Sequence, residues 1–265
     1  MTQEQWVRLV EEDEQGHVVS LVLQREAARN AISVEMARQV AEAARDLAAR
    51  PALRAVVLRS SREDAFCVGA DLKERARAST ADLLAARDTN RAAYGGVLAL
   101  PVPVVAAVRG YALGGGCELA LSCDLLVGDA GTVIGLPEVG VGLLPGGGGT
   151  QLAVRRLGWG RAADLVLTAR RCDGEEAYRL GLLDRLAERG RVVEEALDLA
   201  RLLASRSPRA VRLAKQAMRD GAHRPLPEAL EVEDAAWRQV VGGADRVEGI
   251  AAFVEKRDPA WEDAG

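Results

Sequence analysis

The sequence predicts an α/β fold built on strands that are joined by helical crossover connections. Segments with strand-like and helix-like patterns alternate through the N-terminal half of the 265-residue chain, which is the order typical of this class. One strand-like run, residues 102–108, is almost wholly apolar, as expected for a strand buried on both faces. No stretch rich in glycine, proline or serine divides the chain, so we expect one domain with at most a helical appendage.

The first predicted elements are two strands and a helix. Residues 6–12 and 17–23 are strand-like runs on either side of a turn at Gln15 and Gly16. Ser33 is a suitable N-cap for the helix that follows. The apolar stripe of this helix is formed by Ala37, Val40, Ala41, Ala44, Leu47 and Ala48.

The middle of the chain continues the alternation. Residues 53–60 predict a strand, residues 81–100 predict a helix and residues 102–108 predict the buried strand. Three consecutive glycines at 114–116 then precede a short helix. Two further short strands are predicted at residues 125–127 and 133–134.

From about residue 158 onward the pattern is mostly helical. Ser207 and Pro208 suit the cap and the first residue of a helix that ends near Gly221. Two more helices are predicted over residues 226–241 and 244–255.

Composition and charge disfavour several classes of protein. The net charge of −4 and an aromatic content of only 3% argue against nucleic acid as a partner. The four cysteines have no C-x-x-C spacing and there are only two histidines, so we expect no metal site. Scattered thiols and an acidic N-terminus without an apolar signal region predict a cytoplasmic protein, and no segment predicts a membrane span.

Glycine is concentrated between residues 110 and 149. The pair Gly140 and Gly142 begins like a dinucleotide-binding motif, but Pro145 stands where the third glycine belongs. The glycine run at 146–149 lacks the lysine of a P-loop. Both nucleotide sites are therefore disfavoured, as is a serine nucleophile, because the chain has no G-x-S-x-G motif.

The glycine run at 114–116 stands between a predicted strand and the start of a predicted helix. Its backbone N–H groups could bind a negative oxygen, although a tight turn that needs glycine would have the same sequence. Glu118 and Glu138 are two of the few charges in this apolar region. Each could be a first-turn carboxylate facing a helix dipole, and together they could form an acid/base pair.

Five segments, taken together and in this order, resemble the enoyl-CoA hydratase/isomerase (crotonase) superfamily, and the resemblance extends over essentially the whole chain. The segments are AFCVGADLK at 65–73, GYALGGGCELA at 110–120, GLPE at 135–138, LPGGGGTQ at 144–151 and EGIAAFVEKR at 248–257.

The resemblance implies a spiral of ββα units that forms two roughly perpendicular sheets. It also implies a catalytic core over residues 1–200 and a helical trimerisation region over residues 201–265, with assembly as a homotrimer or a dimer of trimers. The implied substrate is an acyl-CoA thioester, and no cofactor is expected because coenzyme A is part of the substrate.

The resemblance also implies the chemistry, because hydratases of this superfamily carry both glutamates. Glu118 would deprotonate the water that attacks C3 of a 2-enoyl-CoA, and Glu138 would deliver a proton to C2. The N–H groups of Ala70 and Gly115 would hold the thioester oxygen, and Gly146 would offer an N–H near the catalytic water.

Binding of coenzyme A is implied for Lys73, Lys256 and Phe253, with Lys256 often reaching across a subunit boundary in the superfamily. Segments 71–76 and 245–249 resemble the methylglutaconyl-CoA hydratase branch. A generic short-chain enoyl-CoA hydratase remains the first expectation, and a methylglutaconyl-CoA hydratase is the alternative. Arg75 and Arg77 are candidate partners for the distal carboxylate of a methylglutaconyl group, or they are solvated surface residues.

Some members of the methylglutaconyl-CoA hydratase branch also bind RNA. The helix associated with that property corresponds here to residues 33–50, where three acidic and three basic side chains balance. We therefore expect no nucleic-acid binding.

Overall fold

The structure is a computed structural model that describes residues 4–262. Within this range the chain forms ten β-strands and twelve α-helices. The strands are β1 (Val7–Glu11), β2 (Val18–Leu23), β3 (Ala55–Ser60), β4 (Ala65–Cys67), β5 (Val104–Val108), β6 (Tyr111–Leu113), β7 (Leu125–Gly128), β8 (Val133–Gly135), β9 (Arg171–Asp173) and β10 (Arg185–Leu186). The helices are α1 (Val34–Ala48), α2 (Leu72–Arg75), α3 (Thr80–Ala85), α4 (Arg87–Leu98), α5 (Gly115–Leu121), α6 (Gly149–Leu157), α7 (Trp159–Leu167), α8 (Gly174–Leu180), α9 (Val192–Ala204), α10 (Pro208–Gly221), α11 (Leu226–Val241) and α12 (Ala244–Glu255).

The larger sheet has six strands in the order β1-β2-β3-β5-β7-β10. Strands β1 and β2 pair antiparallel around the predicted turn, and every later pair in this sheet is parallel. Parallel neighbours require crossover connections, and α1 supplies the one between β2 and β3. The predicted α/β class is confirmed.

The smaller sheet has four strands in the order β4-β6-β8-β9. The first three run parallel, and β9 pairs antiparallel with β8. The sequence pattern does not predict β4, β6 or β9, because a three-residue strand gives no detectable alternation. The two sheets implied by the resemblance are both present.

The central strands β2, β3 and β5 of the larger sheet are buried on both faces. In β3, Val56 and Leu58 pack into the main core, whereas Ala55 and Val57 pack on the opposite face with residues of α9. Alternate side chains of one strand thus serve two apolar layers. This burial explains why residues 55–58 of β3 and all of β5 are apolar.

The first helix forms as predicted from its cap and its stripe. The Oγ atom of Ser33 accepts a hydrogen bond from the Met36 N–H at 3.2 Å, which satisfies one of the free N–H groups of the first turn. The predicted positions from Ala37 to Leu47 are buried, and Met36 is buried with them, whereas the last predicted position, Ala48, is exposed at the end of the helix. Helix α1 packs against α4, which in turn contacts α5.

The prediction of a single helix over residues 81–100 is wrong. The chain forms two helices here, α3 and α4, which are separated at Ala86. Helix α3 buries none of its residues, whereas α4 buries Ala93, Tyr94 and Val97. Helix α4 packs closely on α1, where a Cβ added at Gly96 would lie 3.1 Å from the Ala44 Cβ. Tertiary packing, which local pattern does not encode, decides this break.

The C-terminal helices α11 and α12 have the predicted bounds, and α10 begins at Pro208 after its Ser207 cap. An ion pair links helix α10 to the core: the Nζ atom of buried Lys215 lies 2.5 Å from Asp124 Oδ2. Arg219 contacts the same carboxylate at 3.2 Å. The predicted division at residues 200 and 201 falls inside α9 and stays a prediction.

Candidate active site

The predicted site residues follow the carboxyl ends of three adjacent parallel strands in the smaller sheet. Ala70 follows β4, Gly115 follows β6 and Glu138 follows β8. Parallel strands end at a common edge of their sheet, and ligand sites in α/β proteins form outside that edge. Residues far apart in sequence therefore meet at one site.

Glu118 lies on α5 and is only 3% exposed. Its Oε1 accepts hydrogen bonds from the N–H groups of Gly147 at 2.6 Å and Gly149 at 2.8 Å, and the Gly146 N–H is a third donor to this carboxylate. The glycine run at 146–149 thus binds a buried carboxylate through its backbone N–H groups, and we call it the glycine clamp.

The environment of Glu118 moves its pKa in opposing directions. Burial raises the pKa, while the three glycine N–H groups and the charge of Arg87 lower it, and the net shift is upward. Hydrogen bonds to an ionised carboxylate favour that form. The carboxylate is therefore held in place by donors and retains enough basicity to accept a proton.

Glu138 is the first residue of a 3₁₀ turn, Glu138–Val141, and is half-buried. Its Oε2 is buried and has no hydrogen-bond partner among residues 4–262. Burial is the main cause that raises the pKa of Glu138 to about 7, and the negative charge of Glu118 adds to the shift. A carboxyl group with this pKa can donate or accept a proton near neutral pH.

Gly114 brings the two glutamates to the same place. Its φ of +53° is a conformation that side chains rarely adopt, and a Cβ there would lie 3.1 Å from Glu138 Oε1. The following residue, Gly115, begins the helix that carries Glu118. The strained turn therefore places one carboxylate directly beside the helix of the other.

Ala70 and Gly115 lie side by side, so the structure brings these two predicted residues together. The Ala70 N lies 3.6 Å from the position that a Cβ on Gly115 would occupy. Ala70 donates no backbone hydrogen bond to another described residue, and the first N–H of a helix has no partner within the helix. Two unpaired N–H groups at one point form a site for a negative oxygen.

Two residues that the sequence analysis missed complete the site. Arg87 Nη1 donates to the Gly146 carbonyl oxygen at 2.6 Å and so holds the glycine clamp. Tyr94, on the same helix, is 8% exposed and packs between Gly115 and Gly147. The available signal is a single aromatic residue in a helix centre otherwise made of alanine and glycine.

A cavity of about 920 Å³ opens beside the oxyanion site. Its lining includes Ala70 at one end and three basic side chains, Arg25, Arg29 and Lys73. Arg25 is paired with Asp71 at 2.8 Å, whereas Lys73 is exposed and makes no ion pair with another described residue. The cavity thus places positive charge near Ala70, one of the two oxyanion residues, which would suit an anionic ligand.

The remaining candidate residues lie in different places. Phe253, 85% exposed on α12, and Lys256, at the end of that helix, do not line this cavity within the single chain. Arg75 is half-buried, and its positive charge lowers the pKa of both Glu138 and Tyr94. Arg77 is exposed and is not among the charges that shift the pKa of Glu138 or Tyr94.

Among the described residues, no three Cys, His, Asp or Glu side chains are grouped so that they could hold a metal ion. No helix within residues 4–262 is long and apolar enough to cross a membrane.

The fold and the site together are suited to acid/base chemistry next to a carbonyl group. Two backbone N–H groups can stabilise negative charge on a carbonyl oxygen, and two carboxyl groups beside them can move protons.

Residues 13–264 match the enoyl-CoA hydratase/isomerase family. The chain is 38% identical to human mitochondrial methylglutaconyl-CoA hydratase over 97% of its own length and 76% of the relative's. It is also 38% identical to a probable enoyl-CoA hydratase, EchA8, of Mycobacterium tuberculosis, over 96% of both chains. The crystal structure of an enoyl-CoA hydratase from Bacillus anthracis superposes with a TM-score of 0.94 at 37% identity, covering 98% of this chain and 100% of that one.

The chain therefore belongs to the enoyl-CoA hydratase/isomerase family and is an enzyme of that family. The family membership predicted from the five sequence segments is confirmed. The superposition covers 98% of this chain, so the shared fold includes the C-terminal helices α10 to α12.

Proposed function

We propose that this enzyme adds water across the 2,3-double bond of a short-chain 2-enoyl-CoA. The observation that carries the proposal is the pair of carboxyl groups, Glu118 and Glu138, beside the unpaired N–H groups of Ala70 and Gly115. Hydration needs one group to take a proton from water and another to supply a proton to carbon. Both groups are present in this site.

In the proposed reaction the thioester oxygen binds to the N–H groups of Ala70 and Gly115. Glu118 accepts a proton from water as the water oxygen forms a bond to C3. The π electrons shift onto the thioester as an enolate, which the two N–H groups stabilise. Glu138 then donates its proton to C2 on the same face, which completes a syn addition.

The local environments support these separate roles. The clamp of glycine N–H groups favours the ionised form of Glu118, the form that a base requires. Glu138 has an unpaired oxygen and a pKa raised to about 7 by burial, so that a large fraction is protonated at neutral pH. The acid and the base are thus distinguished by their hydrogen bonds.

This assignment predicts the pH dependence of kcat/KM. Glu138 must be protonated in the active form, so the rate is expected to fall above pH 7 and to approach a tenfold loss per pH unit. Glu118 must be ionised, so the rate also falls at low pH, with a midpoint above the ordinary glutamate pKa. A profile measured from pH 5 to 9 checks both limbs, and a rate that stays constant from pH 7 to 9 would contradict the role of Glu138.

Lys73 is expected to contribute charge to the binding of the coenzyme A phosphates. The Lys73→Ala variant should raise KM for an enoyl-CoA more than it lowers kcat, because the phosphates lie far from the reacting carbons. The difference should shrink at high salt, since the side chain is exposed. Steady-state kinetics at low and high ionic strength test this, with Arg179→Ala on exposed α8 as a control for general loss of surface charge.

We also propose that Phe253 and Lys256 act at the coenzyme A site of a neighbouring subunit. Helices α11 and α12 expose a set of large apolar side chains: Leu226, Leu230, Trp237, Val247, Ile250, Phe253 and Val254. An apolar surface of this kind indicates an interaction site. A homotrimer or a dimer of trimers would cover it, and sedimentation analysis measures the assembly directly.

The balance of charges on α1 supports the expectation that nucleic acid is not a partner. Arg38 pairs with Glu35 and Glu42, and Arg50 pairs with Glu11 and Asp46. These cations are already neutralised, whereas binding to nucleic acid requires free cations along the phosphate backbone.

A 3-methylglutaconyl-CoA is the second candidate substrate, because the charge of Arg75 reaches the catalytic centre. An arginine near the acyl group can pair with a distal carboxylate. The test of function is the rate of hydration of crotonyl-CoA, with product identified as the 3-hydroxyacyl-CoA. The ratio of kcat/KM for crotonyl-CoA and 3-methylglutaconyl-CoA distinguishes the two candidates, and absence of hydration with both would contradict the proposal.

A further inference from the structure

Tyr94 lies between the two backbone segments that form the catalytic site. A Cβ added at Gly147 would lie 2.7 Å from three atoms of the Tyr94 ring, so the ring packs directly on the glycine clamp of Glu118. A Cβ added at Gly115 would lie 2.7 Å from the Tyr94 hydroxyl oxygen. The ring therefore contacts one half of the site and the hydroxyl borders the other.

The Tyr94 hydroxyl makes no hydrogen bond to another residue in the described range 4–262, and the residue is only 8% exposed. Its oxygen is not among the fully buried polar atoms that lack a partner, so the hydroxyl borders open space rather than packed protein. Tyrosine hydroxyl groups that are largely buried usually have a hydrogen-bond partner. A ligand bound in this space could supply the acceptor.

The hydroxyl is suited to donate a hydrogen bond. Burial, followed by the negative charge of Glu118, raises the pKa of the Tyr94 phenol above its ordinary value. The group therefore keeps its proton throughout the working pH range. A neutral phenol in a partly dry site is a strong donor to a developing negative charge.

We propose that Tyr94 is a third hydrogen-bond donor to the thioester oxygen, beside the N–H groups of Ala70 and Gly115. The position where a Gly115 Cβ would lie is 2.7 Å from the Tyr94 hydroxyl oxygen and 3.6 Å from the Ala70 N. These three donors thus border one small space, which the oxygen of the enolate would fill. The inference rests on the proposed function, and it makes Tyr94 a catalytic residue.

The Tyr94→Phe variant tests the role of the hydroxyl. Phenylalanine keeps the ring on Gly147 and leaves no protein group unpaired, so the thermal midpoint should not fall. The value of kcat for crotonyl-CoA should fall about 10- to 100-fold, as expected for a lost hydrogen bond to a charged oxygen. The matched control is Tyr178→Phe on α8, where the side chain is 49% exposed and kcat should not change.

A second measurement separates a donor from a residue that only supports the clamp. Butyryl-CoA is saturated, so it binds without being hydrated, and its isotope-labelled thioester carbonyl can be followed by Raman difference spectroscopy. The carbonyl stretching frequency of the bound ligand should be higher in Tyr94→Phe than in the wild-type enzyme, because one polarising donor is lost. An equal frequency in both proteins, or an unchanged kcat, overturns the proposal.

The two proposals can fail separately. If the wild-type enzyme does not hydrate crotonyl-CoA, the proposed function is wrong. The frequency of bound butyryl-CoA still decides the role of Tyr94, because an oxyanion site polarises a thioester whatever reaction follows.

Discussion

Replacement of Glu118 by glutamine is expected to lower kcat for hydration of crotonyl-CoA by about 10²- to 10⁴-fold, the range typical of general acid/base catalysis. Glutamine has the same shape, and its carbonyl oxygen can still accept hydrogen bonds from the N–H groups of Gly147 and Gly149. It cannot take a proton from water. The fold and the substrate KM should therefore change little while the chemical step is lost.

Glu138→Gln should give a loss of similar size, since the amide cannot deliver the proton to C2. The loss in the double variant should be smaller than the product of the two single losses, because both groups act on the addition of one water molecule. Steady-state kinetics on the three variants measure this non-additivity. Glu12→Gln is the control, because Glu12 is also largely buried and hydrogen-bonded, to Ser20 and Arg59, in another part of the molecule.

A correctly folded Glu118→Gln or Glu138→Gln enzyme with full hydration activity would remove the basis of the proposed mechanism. Retention of the far-ultraviolet circular dichroism spectrum and of coenzyme A binding establishes that the fold is intact. A loss confined to Glu138→Gln would instead assign all proton transfer to that residue.

The Gly69→Ala variant is expected to lower kcat at least about 10²-fold, because it disturbs both donors of the oxyanion site. Gly69 has a φ of +96°, and a Cβ there would lie 2.7 Å from the Leu113 carbonyl oxygen and 3.3 Å from the Gly115 N. Backbone must shift to make room. The peptide between residues 69 and 70 carries the Ala70 N–H, so this shift misaligns the site itself.

Gly181→Ala is the matched control for this substitution. Gly181 has a similar φ of +83°, but a Cβ would meet open space at the end of α8. Alanine should cost about 1–2 kcal/mol of stability at this position through its backbone conformation alone, with kcat unchanged. Equal kinetic effects in Gly69→Ala and Gly181→Ala would show that general destabilisation, rather than the oxyanion site, explains the loss.

Local sequence signals predict the elements whose causes are local. Ser33 and the apolar stripe after it predict α1, and the bounds of α11 and α12 follow from their patterns. Elements that depend on contacts between distant segments are not predicted by local sequence signals. The break at Ala86 depends on the packing of α4 against α1, and β6 exists because β4 and β8 pair with it on either side.

The sequence by itself determined the α/β class, the family and the two carboxylates, because these depend on residue type and order along the chain. Only the tertiary structure decided that Glu118 is clamped by glycine N–H groups, that Tyr94 borders the oxyanion site and that Phe253 lies away from the cavity at Ala70. These relations join segments 20 to 180 residues apart. They arise where parallel strands end at one edge of a sheet and helices pack over that edge, and neither condition is encoded in any single stretch of sequence.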